Sequence, residues 1–280
     1  MNSNAQIIAR ESKSSFYYAF NLLGKERSEA MNIVYAFCRK TDDIVDEEQF
    51  SVEEKEKNLA DWKKEFELAL EKNSDDKLLS DLTDTISRYN ISSQPFFDLI
   101  RGMKMDLEKN RFQTFEETEE YCYCAASTVG LMSVAIFGYK HDSIHEYAVN
   151  LGKALQLTNI IRDVKTDTKM NRIYLPLEDF ERFGYTEEEL FNGVYNSNFY
   201  ELMNFQAERA QKYFDKADSL LHLEDKKNMF AAQAMRHIYY KLLTKLRNNK
   251  FDIFSQNINV DKRDKLFIAL GTWFKYTMLY

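Results

Sequence analysis

Asp42 and Asp46 stand four residues apart in YAFCRKTDDIVDE, and Asp163 and Asp167 stand four apart in QLTNIIRDVKTD. At about 100° per residue, Tyr35, Arg39, Asp42 and Asp46 fall on a narrow arc of one helix. Gln156, Asp163 and Asp167 fall on one arc of another, with Asn159 beside it, while Asp43 points away from the first arc. Carboxylates at this spacing repel one another. A single such pair would ordinarily face water. Here the rows mix acid with amide, Tyr and Arg rather than with Lys and Glu, and the pattern occurs twice. Both helices are otherwise apolar, through Ile33, Val34, Phe37, Ile44 and Val45 in one and Leu155, Leu157, Ile160, Ile161 and Val164 in the other. Two acidic rows facing each other across a cavity need a cation between them. Oxygen ligands without His or Cys favour a hard ion, and Mg²⁺ commonly bridges carboxylates to substrate phosphates. The rows therefore predict a clamp for magnesium and a diphosphate.

Such a clamp needs rigid helices to aim it. The chain has 280 residues, 44% hydrophobic, with only 8 Gly and 2 Pro (Pro95 and Pro176). Sandwiches and βαβ units need more turn residues, so the prediction is an all-α, single-domain bundle over residues 1–280. Residues 52–72 carry Leu59, Trp62, Phe66 and Leu70 at spacings of three and four, an amphipathic helix with a charged outer face. Residues 75–89 and 94–110 read as two more, the latter with Pro95 in its first turn. In residues 114–138, Thr114 and Glu117 suggest a capping box and Gly138 a stop. Residues 143–168 form a long, largely apolar helix, NRIYLPLEDFERFGY a polar loop with a strand-like centre, and three further helices follow. Helices apolar on several sides imply that some are fully surrounded.

The formal net charge of −7, with no basic stripe, argues against nucleic acid as a partner. Cys38, Cys122 and Cys124 fit neither a zinc spacing nor an even disulfide set, so reduced thiols in a cytoplasmic protein are expected. MNSNAQIIAR lacks an apolar signal core, and TVGLMSVAIFGY reads as too short to span a bilayer. The tail KLFIALGTWFKYTMLY fits either a last helix packed on the core or one leaning on the inner face of a membrane.

The two aspartate blocks resemble the paired DxxxD motifs of the squalene/phytoene synthase family. SSFYYAFNLL, YCYCAASTVG, RIYLPLEDFERFGYTEEEL and HIYYKLL resemble further family blocks, so the similarity runs from about Ser12 to the last helices. The resemblance implies the all-α isoprenoid synthase fold around a central apolar cavity, and head-to-head joining of two prenyl diphosphates. It also implies Asp42, Asp46, Asp163 and Asp167 as Mg²⁺ ligands. Arg39, Gln156, Asn159 and Arg162 would contact diphosphate or order metal-bound water, with Arg162 assigned by resemblance because it lies off the aspartate arc. Tyr35, Tyr121 and Tyr239 would line the reaction centre. Ser14 and Ser15 would fold over a diphosphate, or else cap a helix. The chemistry suits these types: cationic groups offset a departing diphosphate, and aromatic faces stabilise an allylic cation in a water-free site. Ala125, Ala126 and Ser127 fit either a tunnel wall or close helix packing. Two departures stand out: Ser127 replaces a usual Gly, and Gln256 and Asn257 stand where relatives carry Arg, leaving Lys262 or Arg263 to supply that contact.

Phe16 and Phe20, one turn apart, would limit chain length, so two farnesyl diphosphates giving presqualene diphosphate, and then squalene or dehydrosqualene, is the expected reaction. SSFYYAF and KLFIALGTWFKY lean the same way. The alternatives are phytoene synthesis from geranylgeranyl diphosphate and a non-catalytic assembly factor, which the four aspartates disfavour. No Gly-rich dinucleotide fingerprint is present, which leaves NADPH use open because an all-α site would hold it differently.

Overall fold

The computed structural model describes residues 20, 22–47 and 49–278. Among them the chain is helical, with a lone bridge between Arg111 and Ile173. The helices are α1 (Lys25–Asp46), α2 (Val52–Leu70), α3 (Lys77–Tyr89), α4 (Gln94–Glu108), α5 (Phe115–Cys122) and α6 (Thr128–Phe137). There follow α7 (Ser143–Lys169), α8 (Leu177–Phe183), α9 (Glu187–Phe191), α10 (Ser197–Leu220), α11 (Phe230–Asn248) and α12 (Lys262–Met278).

Helix α7 is the axis of the bundle. Ile144, Tyr147, Leu151, Ala154, Leu157, Ile160 and Ile161 are buried around its circumference, because α5, α6, α10 and α11 all pack on it. Helix α1 is fixed from its other side. Phe37 meets Trp62, Phe66 and Phe96 at ring-centroid distances of 5.4, 5.2 and 5.3 Å. The Trp62 indole N–H donates to Thr41 Oγ1 at 2.9 Å, and that hydroxyl donates to the Phe37 carbonyl at 2.8 Å. Replacing the inward aromatics of α2 and α4 would loosen the helix that carries the first acidic row.

Between α5 and α6 the chain does not break but widens. Residues Tyr123–Ser127 form a π turn, in which the Thr128 N–H donates to the Tyr123 carbonyl. The swelling fits because glycines face it on both sides. A Cβ on Gly102 of α4 would lie 2.7 Å from Cβ of Cys124, and one on Gly152 of α7 would lie 2.4 Å from Cα of Ser127. The α5–π–α6 run, Phe115–Phe137, is long and apolar enough to cross a membrane, contrary to the sequence expectation, but just over half of its most apolar window is buried inside the bundle.

Two local expectations change. Thr114 Oγ1 accepts from the Glu117 N–H, but the Glu117 carboxylate accepts from the Gln113 N–H, so only half of the capping box forms. The NRIYLPLEDFERFGY stretch holds helix α8, and its extended start makes only the single bridge to Arg111, too little pairing for a strand.

Candidate functional site

A cavity of about 170 Å³ lies among α1, the π turn, α6, α7 and α11. Small residues make the room: Ala125, Ala126 and Gly130 on one wall, Ala148 and Gly152 on α7, Ala231 and Ala232 on α11. Ala125 and Ala126 face the cavity whereas Ser127 packs away from it, its hydroxyl donating to the Val149 carbonyl at 2.7 Å, so the small-residue patch is divided between wall and helix contact. Tyr35, Gln156, Asn159 and Tyr239 line the same space, as does Phe20. Phe16, Ser14 and Ser15 lie outside the described residues.

The acidic rows stand beyond Tyr35 on α1 and beyond Gln156 and Asn159 on α7, so one end of the cavity is polar and the other closes on Val134, Phe137 and Tyr147. Arg39 pairs with Asp42 at 3.0 Å and also with Asp43 at 2.6 Å, so the carboxylate off the predicted arc shares the same guanidinium. Arg162 grips Asp163 in a two-pronged contact of 2.7 and 2.5 Å. Tyr239 is half-buried beside Arg162 and Asn159.

Three groups absent from the sequence reading tie the rows together. Arg172, just past α7, reaches Asp46 at 3.8 Å. Asp106, near the end of α4, accepts from the Tyr174 hydroxyl at 2.8 Å and the Tyr121 hydroxyl at 3.1 Å, and those two rings stack at 4.7 Å. Tyr121 thus belongs to the acidic end rather than to the cavity wall. Asp106 carried a faint signal, since it continues the buried Leu99–Gly102–Met103 face of α4. Arg172 and Tyr174 carried none by periodicity, because they precede α8 in chain without helical period; their one signal was that they open the family-like block RIYLPLEDFERFGYTEEEL.

Electrostatically this end is strained. Burial, then the neighbouring Asp46, pushes Asp42 up to about 6. Burial pushes Asp106 up to about 6 against the pull of Tyr174 and Arg172. Burial and Asp163 push Asp167 up to about 7. Several carboxylates thus crowd one partly buried region, the condition in which an added cation is favoured. Among the described residues no three His, Cys, Asp or Glu side chains close into a ready cage. The donor set nevertheless suits a hard ion that keeps much of its water. Among the described residues Asn159 Oδ1 is buried without a hydrogen-bond partner, while Asn159 Nδ2 donates to Gln156 Oε1 at 3.3 Å. An orphaned amide oxygen beside an acidic row is what an absent cation or diphosphate-bound water would leave behind.

Gln256 and Asn257 line a polar depression with Arg162, Asp163 and Lys165. Lys262 and Arg263 are exposed; the α12 cation close enough to feel Arg162 is half-buried Lys265, whose ammonium is held below its usual range by burial and then by Arg162.

Residues 9–264 match the squalene/phytoene synthase family. A 15-cis-phytoene synthase of Synechocystis sp. is 35% identical over 98% of this chain and 84% of its own length. A phytoene synthase of Arthrospira platensis is 36% identical over 93% of this chain and 88% of its own. Among solved structures, a dehydrosqualene synthase in complex with ligand superposes with a TM-score of 0.84 at 29% identity, covering 99% of this chain and 95% of that one. Squalene synthase HpnC from Alicyclobacillus acidocaldarius superposes with a TM-score of 0.82 at 25% identity, covering 88% and 93%. The expectation of farnesyl-based presqualene formation is corrected by the relatives named phytoene synthase, matched over nearly the whole chain. Its grounds were also poorly placed: SSFYYAF has only Phe20 among the described residues, and KLFIALGTWFKY lies on α12, which lines no part of the cavity.

Proposed function

Because the chain belongs to the squalene/phytoene synthase family, whose members are prenyltransferases, we propose that it joins two geranylgeranyl diphosphates head to head to form phytoene, using Mg²⁺. The observation that carries this reading is a 35–36% match to phytoene synthases over nearly the full chain. The apolar cavity opening beside two acidic rows supports it.

Asp42, Asp46, Asp163 and Asp167 would hold the metal, with the free Asn159 Oδ1 ordering a water or diphosphate oxygen nearby. Bound there, Mg²⁺ supplies charge neutralisation for a departing diphosphate. Arg39, Arg162 and Arg172 add donors on the same side, and Lys265, within electrostatic reach of Arg162, would supply the contact that relatives make with Arg. The first allylic C–O bond breaks with its electron pair leaving on the diphosphate. The double bond of the second chain then attacks the resulting cation. Tyr35 and Tyr239 face that step with their rings, and the apolar walls keep water from intercepting it. Asp106 holds Tyr121 and Tyr174 in register at the diphosphate end. Loss of a proton closes a cyclopropane that still bears the second diphosphate; that diphosphate then departs with its bonding pair, the carbon skeleton rearranges, and a second proton loss gives phytoene, so the reaction calls for no hydride and no NADPH.

The test is incubation of the purified protein with farnesyl or geranylgeranyl diphosphate and MgCl₂, with and without NADPH. Phytoene from the C20 substrate without NADPH is expected. A C30 product formed in preference would overturn the proposal.

A further inference from the structure

The closed end of the cavity holds polar side chains where apolar ones would fit. Tyr147, near the start of α7, lines the cavity and is fully buried, while Gln233 on α11 and Tyr276 on α12 are 4% and 5% exposed. Gln233 Nε2 donates to the Tyr147 hydroxyl at 3.0 Å, and the Tyr276 hydroxyl donates to Gln233 Oε1 at 3.3 Å. A chain of hydrogen bonds thus crosses three helices, although neither Gln233 nor Tyr276 lines the cavity. Tyr147 stands nine residues before Gln156 on α7, so it lies roughly 13 Å from the polar end by helical rise.

Phe, Leu and Phe at these places would close the same end without taking polar groups out of water. A buried hydrogen bond contributes little net stability, but a paired set fixes one arrangement of the side chains that carry it. Here the group that is fixed belongs to the ring against which a hydrocarbon chain must stop. The rest of that end is Val134, Phe137, Ala148, Leu151 and Ala231. Their contacts are non-directional and hold a ring without dictating where it stands, whereas the bond from Gln233 has a direction and a length.

We propose that Gln233 and Tyr276 are positioning residues for substrate length: by holding the Tyr147 hydroxyl they keep its ring across the end of the cavity, and so exclude prenyl chains one isoprene unit longer than the enzyme takes. That role rests on the prenyl diphosphate reading, and with the C20 substrate proposed above the excluded chain is C25. Helix α12 packs on α11 and so acts on the cavity at one remove.

The test is kcat/KM with Mg²⁺ for geranylgeranyl and geranylfarnesyl diphosphates, alongside the melting temperature, in wild type and variants. Gln233→Met keeps the volume and withdraws the bond. Its C25-to-C20 ratio should rise roughly tenfold, the equivalent of one net hydrogen bond, and its melting temperature should fall because the Tyr147 hydroxyl loses that partner. Tyr147→Phe should raise the ratio similarly, and Tyr276→Phe by a smaller factor, since Gln233 still reaches Tyr147. The decisive variant is Tyr147→Phe/Gln233→Met. Removing both partners should restore much of the melting temperature, yet the ratio should stay raised, because the ring is still untethered. A ratio that returns to the wild-type value in the double variant as its melting temperature recovers, or one that moves in no variant, would overturn the proposal. A wild type that prefers farnesyl diphosphate would overturn the C20 reading instead, and the network is then judged by the C20-to-C15 ratio in the same variants.

Discussion

Ser133→Phe should turn a C20 enzyme toward the C15 substrate. Ser133 lies on α6 in the cavity wall, seven residues beyond Ala126, or roughly 10 Å further from the polar end by helical rise. Its hydroxyl donates only to the Val129 carbonyl one turn back, so its removal orphans no distant partner. A phenyl ring there would occupy the space of the terminal isoprene unit of a bound C20 chain. That unit has five carbons, each contributing about 0.8 kcal/mol when buried, so the ceiling on the effect is about 4 kcal/mol. Converted at 1.4 kcal/mol per decade, this is close to a thousandfold loss in kcat/KM for geranylgeranyl diphosphate. The farnesyl value should move by less than about threefold, since its shorter chain ends before the ring and loses no carbons from burial. The assay is kcat/KM for both substrates in wild type and variant, with Ala125→Phe, nearer the polar end, as the contrast that should impair both. An unchanged substrate ratio in Ser133→Phe would refute the assignment of this end as the chain terminus.

Asp42→Asn and Asp163→Asn should each lower turnover by roughly a hundredfold or more while circular dichroism is retained, and Asp43→Asn should cost less; EDTA should abolish turnover and excess Mg²⁺ restore it. Asp106→Asn should reduce kcat with little change in KM, because Asp106 positions Tyr121 and Tyr174 rather than holding substrate. The carboxyls of Asp42, Asp106 and Asp167 have folded-state values raised to about 6, 6 and 7, so on acidification the native state takes up protons before the unfolded chain does. Metal-free protein should therefore gain stability as pH falls from about 8 to 5, and Mg²⁺ with pyrophosphate should flatten that slope; a thermal melt that falls across the window would contradict the crowding. Gly152→Ala places a Cβ 2.4 Å from Cα of Ser127, backbone that has no rotamer to escape into. Differential scanning calorimetry should show a loss of about 1–3 kcal/mol, or roughly 5 °C.

Regular periodicity made most of this architecture legible. The apolar phase of α1, α2, α7 and α11 marked them as helices, and the same phase showed that Asp42 with Asp46, and Asp163 with Asp167, shared a face. Where period ends, reading failed. Arg172 and Tyr174 lie in irregular chain, and no local rule says that an Arg past the end of α7 will reach Asp46 on α1. Asp106 was in phase with Leu99 and Met103, yet an acid at the end of an apolar stripe usually marks where the helix meets water. The mistaken C15 preference has a similar origin: Phe20 does line the cavity, but its far limit is set by Val134, Phe137 and Tyr147, on two consecutive helices far from Phe20 in sequence.

The π turn at Tyr123–Ser127 makes this enzyme's substrate wall a matter of residue count as well as residue identity. One extra residue per turn advances everything after it by about 100° around the helix axis. Tyr121, before the turn, addresses the carboxylates, whereas Val129, Gly130 and Ser133, after it, address the hydrocarbon space. Deleting a single residue from Tyr123–Ser127 would restore an ordinary helix with every local hydrogen bond satisfied. It would also rotate a different set of side chains into the cavity while leaving Tyr121 where it stands. Length variation within this turn is therefore a route by which such a fold can be re-lined at one stroke, and one that a survey of point substitutions would never sample.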